Sequence, residues 1–342
     1  MRVAIVNDMP LAVEALRRSL AHDPELSLAW IASDGLQAVR RCAADLPDVI
    51  LMDLMMPVMN GVEATRLIMA ESPCAIIVVT SDVLQHTSLV FEAMGHGALD
   101  AVDTPVLGRG DPKAAAQRLL RKIRNAGWLI GKKTVALERT TAMASSDTDA
   151  ALVVIGASAG GPPSLAAVLR ALPASFPAAI VLVQHVDAAF TSGMAAWLNE
   201  QCALPVRLAS DGLRPEAGVV LLAGTGEHLV LGAERKLHYT AEPRESVYSP
   251  SIDVFFHSVA QHWRGRAAGV LLTGMGQDGA LGLKAMRERG FFTIAQDRAT
   301  SAVYGMPKAA AALDAACEIL PLGDIAPRLE KVFAPPANPL FN

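Results

Sequence analysis

The second half of the sequence carries a serine, a histidine and an aspartate, the three residue types that together perform acyl transfer. Ser158 stands in "LVVIGASAGGPPSL", residues 152–165, where an apolar run stops at a serine set among glycines. Gly156 to Gly160 fit the pattern G-x-S-x-G, and strand, sharp turn and helix is the context of a nucleophile elbow. Pro162 and Pro163 suit the first turn of the following helix. The same letters describe a small residue in a tight structural turn, and five residues do not choose between the two. A phosphate cradle fits less well. The dinucleotide fingerprint needs a glycine where Ser158 stands, and no Walker lysine is present.

The next apolar run, "AIVLVQH", ends on His185 and not on an acidic residue that would hold a ribose. A third run, "GVLLTGMGQDGALGL" (269–283), closes in a glycine-rich turn containing Asp278. Asp278 reads either as the acid that orients His185 or as the N-cap of a helix from Gly279. Backbone N–H groups in that turn suit an oxyanion hole. His228 and His238 in a hairpin region, His257 and His262 within a helix, and His22, His86 and His96 in the first half are weaker candidates for the base.

A different chemistry is written near the start. Asp8 follows the run "VAIV" and Asp53 closes "DVILMD". Two carboxylates at one sheet edge repel each other, and a hard cation such as Mg²⁺ relieves the repulsion. Each aspartate alone reads as a cap or turn residue. As a pair at strand ends they read as a metal site.

These residues need strands to carry them. From Arg2 to about Gly131, five β-rich runs alternate with helical patterns. Fully apolar strands in such an alternation predict a doubly wound parallel sheet buried on both faces. From Leu152 the alternation resumes, with strands expected at 152–155, 179–183, 218–222, 228–231, 237–240, 269–272 and 292–295. Helices are expected at 164–171, 192–201, 252–262, 281–289 and 308–313. Residues 218–240 read as short strands with glycine-containing turns, including an antiparallel hairpin. The fold class is therefore α/β twice over: a flavodoxin-like domain over 1–125, a polar linker over 126–150 and a mainly parallel α/β domain over 151–342. The tail "APPANPLFN" reads as a frayed terminus. Ligands of such sheets sit beyond the carboxyl ends of the strands, which is where Asp8, Asp53, Ser158, His185 and Asp278 all fall.

Composition narrows the function classes. The 342 residues are 52 % hydrophobic and 19 % charged, with a net charge of −4. That fills two cores and argues against a nucleic-acid binder. No apolar run approaches the roughly 18 residues of a spanning helix, and Arg17 and Arg18 interrupt any signal-peptide core. A cytoplasmic protein without membrane insertion is expected. Cys42, Cys74, Cys202 and Cys317 are scattered, as small core residues would be.

With these residues in view, "ILMDLMMPVMNG" resembles the phosphoacceptor segment of response-regulator receiver domains. The resemblance implies that Asp53 accepts a phosphoryl group from a chemotaxis-type histidine kinase. It implies that Asp8, Asp53 and the carbonyl of Met55 bind Mg²⁺, and that Thr80 contacts the phosphoryl oxygens. Asn7 stands where receivers carry a first acidic residue, Thr104 where they carry a lysine, and Ala101 where they carry an aromatic switch residue.

The segments "IGASAGGP", "VLVQH", "PSIDVFF", "LLTGMGQDGA" and "AQDRATSAVYGMPKAA" resemble the CheB family of chemotaxis protein-glutamate methylesterases. By resemblance, Ser158 is the nucleophile, His185 the general base and Asp278 its orienter, and the N–H of Met275 helps hold the oxyanion. The substrate is then a methylated glutamate on a chemoreceptor's cytoplasmic helices, or a glutamine for deamidation, with no cofactor for the esterase step. The unphosphorylated receiver is expected to cover the active-site face. "NDMPLAVEALRRSL" and "AMGHGALDAVDTP" look closest to the WspF-type branch associated with surface sensing. Ala159, Ser249 and Arg298 replace the family's usual threonine, arginine and glutamate. Two rivals remain: a receptor- or kinase-binding regulator without catalysis, and a nucleotide-binding sensor.

Overall fold

The computed structural model describes residues 1–80, 86–105, 112–130, 151–244 and 246–334. The first unit alternates β1 (Arg2–Val6), α1 (Pro10–Leu20), β2 (Ser27–Ala32), α2 (Gly35–Ala44), β3 (Val49–Asp53), α3 (Gly61–Glu71), β4 (Ala75–Thr80), α4 (Thr87–Gly95), β5 (Asp100–Asp103) and α5 (Pro112–Ile130). Its strands pair in parallel in the order β2-β1-β3-β4-β5. This is the flavodoxin-like order, whose switch point lies between β1 and β3. Val3, Ile5, Leu51, Ile77 and Val79 are fully buried, as strands covered on both faces must be. Local signals start the helices: Pro10 opens α1, Asp34 caps α2 through Gln37 N–H at 2.8 Å, and Asn60 caps α3 through Glu63 N–H at 2.9 Å.

Helix α5 continues to Ile130, five residues into the stretch read as linker. Leu119, Ile123 and Ala126 recur at helical spacing and are buried in the first unit's core, so the apolar stripe carries the helix past residue 125. The rest of that stretch, 131–150, and nearly all of the tail lie outside the described residues.

The second unit continues with β6 (Ala151–Ala157), α6 (Gly161–Ala171), β7 (Ala179–Gln184), α7 (Ala188–Gln201), β8 (Val206–Leu208), β9 (Val220–Leu222), β10 (His228–Leu231), β11 (Leu237–Thr240), α8 (Ile252–His262), β12 (Arg266–Leu271), α9 (Ala280–Glu288), β13 (Phe292–Gln296), α10 (Met306–Ala312), β14 (Glu318–Leu320) and α11 (Leu322–Phe333). Seven strands form a parallel sheet in the order β14-β13-β12-β6-β7-β9-β8, and β10 pairs with β11 as an antiparallel hairpin. The chain runs outward from β6 through β7 on one side and from β12 through β13 on the other. The switch point therefore falls between β6 and β12, flanked by the loops of Ser158 and Asp278.

Strands β8 and β14 and helix α11 were not read from the sequence. Both strands have three residues and lie at the sheet edges, where one face is exposed and the apolar signal is short. Of the four cysteines only Cys42 is fully buried, against the expectation of four core residues. Cys317 is exposed just before the edge strand β14, and Cys74 and Cys202 are intermediate.

Candidate active site

Strand β6 ends at Ala157, and a turn closed by Gly161 N–H on the Ser158 carbonyl (2.7 Å) leads directly into α6. The left-handed residue of this turn is Gly160, at φ 75°, and not Ser158. Glycine takes the strained conformation at no steric cost, so the serine sits in the turn unstrained. Ser158 is buried, with 6 % of its surface exposed. Pro162 and Pro163 occupy the first turn of α6, as the sequence implied.

Ala157 pairs with Gln184 in the register of β6 and β7, so Ser158 and His185 are the next residues of two adjacent parallel strands. On the other side, Leu271 pairs with Gly156, and Leu272 N–H bonds the Gly156 carbonyl at 2.9 Å. The loop after β12 carries Met275 and Asp278. Three neighbouring strands thus deliver Ser158, His185 and the Asp278 loop to one sheet edge, as expected.

The structure corrects the capping alternative for Asp278. The N-cap of α9 is Gly279, left-handed at φ 85° and without a side-chain cap. The Asp278 carboxylate instead faces the N-terminus of α8. Its Oδ1 accepts from Ser251 Oγ (2.9 Å) and Asp253 N–H (3.1 Å), and its Oδ2 accepts from Ile252 N–H (2.7 Å). A carboxylate offers about four acceptor positions. Three of them are engaged by these donors. Helix N-termini favour negative charge, so the first amides of α8 suit a carboxylate at Asp278. Only 5 % of Asp278 is exposed.

Close packing makes this possible. A Cβ on Gly156 would lie 2.4 Å from Ile252 Cγ2, and one on Gly279 would lie 2.7 Å from the same atom. The first residue of α8 is wedged between the end of β6 and the start of α9, where only glycine fits. The Met275 loop is pinned from its far side. Gly305 and Met306 N–H both bond the Gly274 carbonyl (3.0 and 2.8 Å), Gly274 N–H bonds the Val303 carbonyl (3.0 Å), and Gln296 Oε1 accepts from Thr273 N–H (2.7 Å).

Sequence reasoning missed Ser251 and Asp253, and set His228 aside as a weaker candidate for the base. His228 is buried in the hairpin, accepts from Ser251 N–H at Nδ1 (3.0 Å) and lies 3.2 Å from the Pro243 carbonyl at Nε2. It is a structural residue that fixes the entry to α8. The signal was in "PSIDVFF", where a serine precedes the helix and an acid follows in its first turn. Of the family departures, Ala159 is fully buried, Ser249 Oγ donates to the Gly226 carbonyl at 2.5 Å, and Arg298 is exposed.

In the first unit, the register of Val6 with Met52 brings Asp8 and Asp53 to the same edge. Thr80 ends β4, beside β3. Asp53 Oδ1 accepts from Leu54 N–H (2.7 Å) and Met55 N–H (3.4 Å). Burial raises the Asp53 pKa, the two N–H groups oppose the rise, and the Asp8 charge adds to it. Asn7 Oδ1 is engaged as acceptor for Met9 N–H at 2.8 Å. Thr104 N–H bonds the Thr80 carbonyl at 2.9 Å, so the residue in the lysine's place sits at this edge.

The two sheet orders define a flavodoxin-like α/β domain followed by a second, mainly parallel α/β domain. Residues 3–109 match the response regulator receiver domain, and residues 153–329 match the CheB methylesterase family. The chain belongs to the CheB methylesterase family. It is 99 % identical over 342 residues, the whole of both chains, to protein-glutamate methylesterase/protein-glutamine glutaminase 1 of Bordetella avium (strain 197N). It is 64 % identical over 334 residues, 97 % of this chain and 100 % of the relative, to protein-glutamate methylesterase/protein-glutamine glutaminase 3 of Pseudomonas aeruginosa (strain PAO1). The crystal structure of the Thermotoga maritima CheB methylesterase catalytic domain superimposes with a TM-score of 0.51 at 35 % identity, covering 53 % of this chain and 97 % of that one.

Proposed function

We propose that Ser158, His185 and Asp278 form the catalytic triad of a protein-glutamate methylesterase and glutaminase, and that phosphorylation of Asp53 regulates it. His185 removes the Ser158 hydroxyl proton as Oγ attacks the γ-carbonyl carbon of a methylated glutamate on a chemoreceptor's cytoplasmic helix. The tetrahedral oxyanion rests on the Met275 N–H. The carbon–methoxy bond breaks, His185 passes its proton to the methoxy oxygen, and methanol leaves. Water then attacks the acyl-enzyme, His185 takes the water's proton and returns it to Ser158 Oγ as the acyl–oxygen bond breaks, leaving the glutamate free. With glutamine, ammonia leaves in methanol's place. The observation that carries this reading is the delivery of the three residues by three adjacent strands, with the Asp278 carboxyl oxygens accepting from Ser251 Oγ and from the first amides of α8.

Asp8, Asp53 and the Met55 carbonyl form an all-oxygen donor set, and the Asp8 charge that raises the Asp53 pKa is a repulsion a hard cation would relieve. When bound there, Mg²⁺ supplies charge neutralisation for phosphoryl transfer. Asp53 accepts the phosphoryl group from a histidine kinase, and Thr80 contacts its oxygens. Domain limits near 1–130 and 151–342, a cytoplasmic location and membership of the WspF-type branch complete the reading. Among the described residues, no helix is long and apolar enough to cross a membrane. Incubation with a serine-reactive organophosphonate and peptide mapping tests the site. The expected adduct is on Ser158. An adduct elsewhere with Ser158 unmodified overturns the assignment.

A further inference from the structure

Asp253, in the first turn of α8, is bonded to one loop by both its backbone and its side chain. Its N–H donates to Asp278 Oδ1 at 3.1 Å. Its carboxylate Oδ1 accepts from Gly282 N–H at 2.6 Å and the side chain also meets the N–H groups of Gly279 and Leu281. These are the amides that open α9 and have no partner within that helix. Gly279 lacks a side chain and α9 has no cap of its own, so Asp253 supplies from another helix what the local sequence omits. The arrangement is reciprocal. Asp278, in the loop before α9, accepts from the first amides of α8 beside that helix's own N-cap, Ser251, and Asp253, in α8, accepts from the amides that open α9.

Packing leaves no slack in this clamp. A Cβ on Gly282 would meet Phe256 Cβ at 2.6 Å and the Asp253 carbonyl oxygen at 2.9 Å, so α8 and α9 cross at backbone distance there. The loop being held is short and functional: Met275 and Asp278 lie between the end of β12 and the first turn of α9.

We propose that Asp253 is a positioning residue for the esterase reaction, clamping the start of α9 so that Asp278 and Met275 stay aimed at His185 and the oxyanion. The clamp has an electrostatic cost that a purely structural cap would avoid. Burial and the Asp278 charge push the Asp253 pKa up to about 8. A neutral N-cap such as serine satisfies helix amides without that repulsion, yet the carboxylate here reaches several amides of a neighbouring helix.

The proposal rests on the triad reading, and its test separates the two. Methanol release from a methylated receptor is measured for full-length wild type, Ser158→Ala, Asp253→Ala and Asp253→Asn, with thermal unfolding and amide exchange of residues 274–283. Ser158→Ala activity equal to wild type overturns the triad reading itself. With Ser158→Ala inactive, Asp253→Ala is expected to lose 10- to 100-fold in kcat with KM within twofold, and to exchange faster at Leu281 and Gly282. Asp253→Asn, which keeps one acceptor oxygen, is expected to fall only three- to tenfold in kcat, again with KM unchanged. Should the alanine variant fail to fold, the asparagine variant decides alone. A folded variant with kcat within twofold of wild type, or a loss in KM alone, overturns the positioning role.

Discussion

Replacing Asp278 by asparagine tests the carboxylate cap and the catalytic role together, because the hydrogen bonds dictate how the amide must sit. Placed at Oδ2, an NH₂ group would face the Ile252 N–H and could not accept from a histidine. Placed at Oδ1, it would face the Asp253 N–H but could donate to Ser251 Oγ, whose hydroxyl can rotate. The second arrangement is favoured, so one donor loses its acceptor. Losing a bond to a charged acceptor costs about 1.5–3 kcal/mol. Burial and then the Asp278 charge raise the Asp253 pKa to about 8; the substitution removes the second cause, and this gives the effect a pH dependence. In wild type, the folded state holds the Asp253 proton more tightly than the unfolded chain, where a carboxylate titrates near ~4. Stability from this group is fully present below pH ~4 and is lost as pH rises through about 8. In Asp278→Asn the Asp253 pKa falls and less stability is lost. Urea unfolding should therefore show a variant less stable than wild type at pH 6, with a smaller gap at pH 9. The imidazolium loses its counter-charge, so kcat should fall by about 10³–10⁴, as triad acids generally require. A folded variant with kcat within tenfold of wild type, or a stability gap that widens with pH, refutes the reasoning.

Other consequences are simpler. Gly156→Ala should destabilise the protein by about 1–3 kcal/mol through overpacking, because its Cβ would lie 2.4 Å from Ile252 Cγ2; kcat should fall with it, and chemical denaturation alongside methanol release checks both. Val58 is left-handed at φ 66° and 80 % exposed. A non-glycine residue there carries about 1–2 kcal/mol of strain, so Val58→Gly should raise the unfolding midpoint slightly and not lower it. Phosphoryl label from the cognate kinase should appear on wild type, vanish in Asp53→Asn and vanish when EDTA removes Mg²⁺. Thr104→Lys should speed that labelling, since it would place an ammonium charge at the edge where Thr80 lies.

Much of this was legible in the sequence because parallel sheets write long apolar strands. β1, β3, β4, β6 and β7 stand out as buried runs, and strand ends follow from them. Asp8 with Asp53 at one sheet edge, and Ser158 with His185 at another, could be placed before any coordinates. Helix α8 was read at its observed limits, Ile252–His262, because its apolar periodicity marks it. What could not be read was which carboxylate caps which helix. Local logic offered Asp278 the helix beside it as an alternative role, whereas in the fold its carboxylate meets the first amides of α8, beside that helix's own N-cap Ser251, and Asp253 serves α9. The glycines were equally opaque. Gly156 and Gly279 look like turn residues in the sequence, but each makes room for Ile252, a residue about 100 and about 30 positions away.

The central claim is that Ser158 performs the hydrolysis. Full-length wild type and Ser158→Ala, matched for folding by circular dichroism, are incubated with a chemoreceptor carrying labelled methyl esters, and volatile methanol is counted. Release by wild type with none above background from Ser158→Ala is the predicted result. Equal release by both proteins would contradict it.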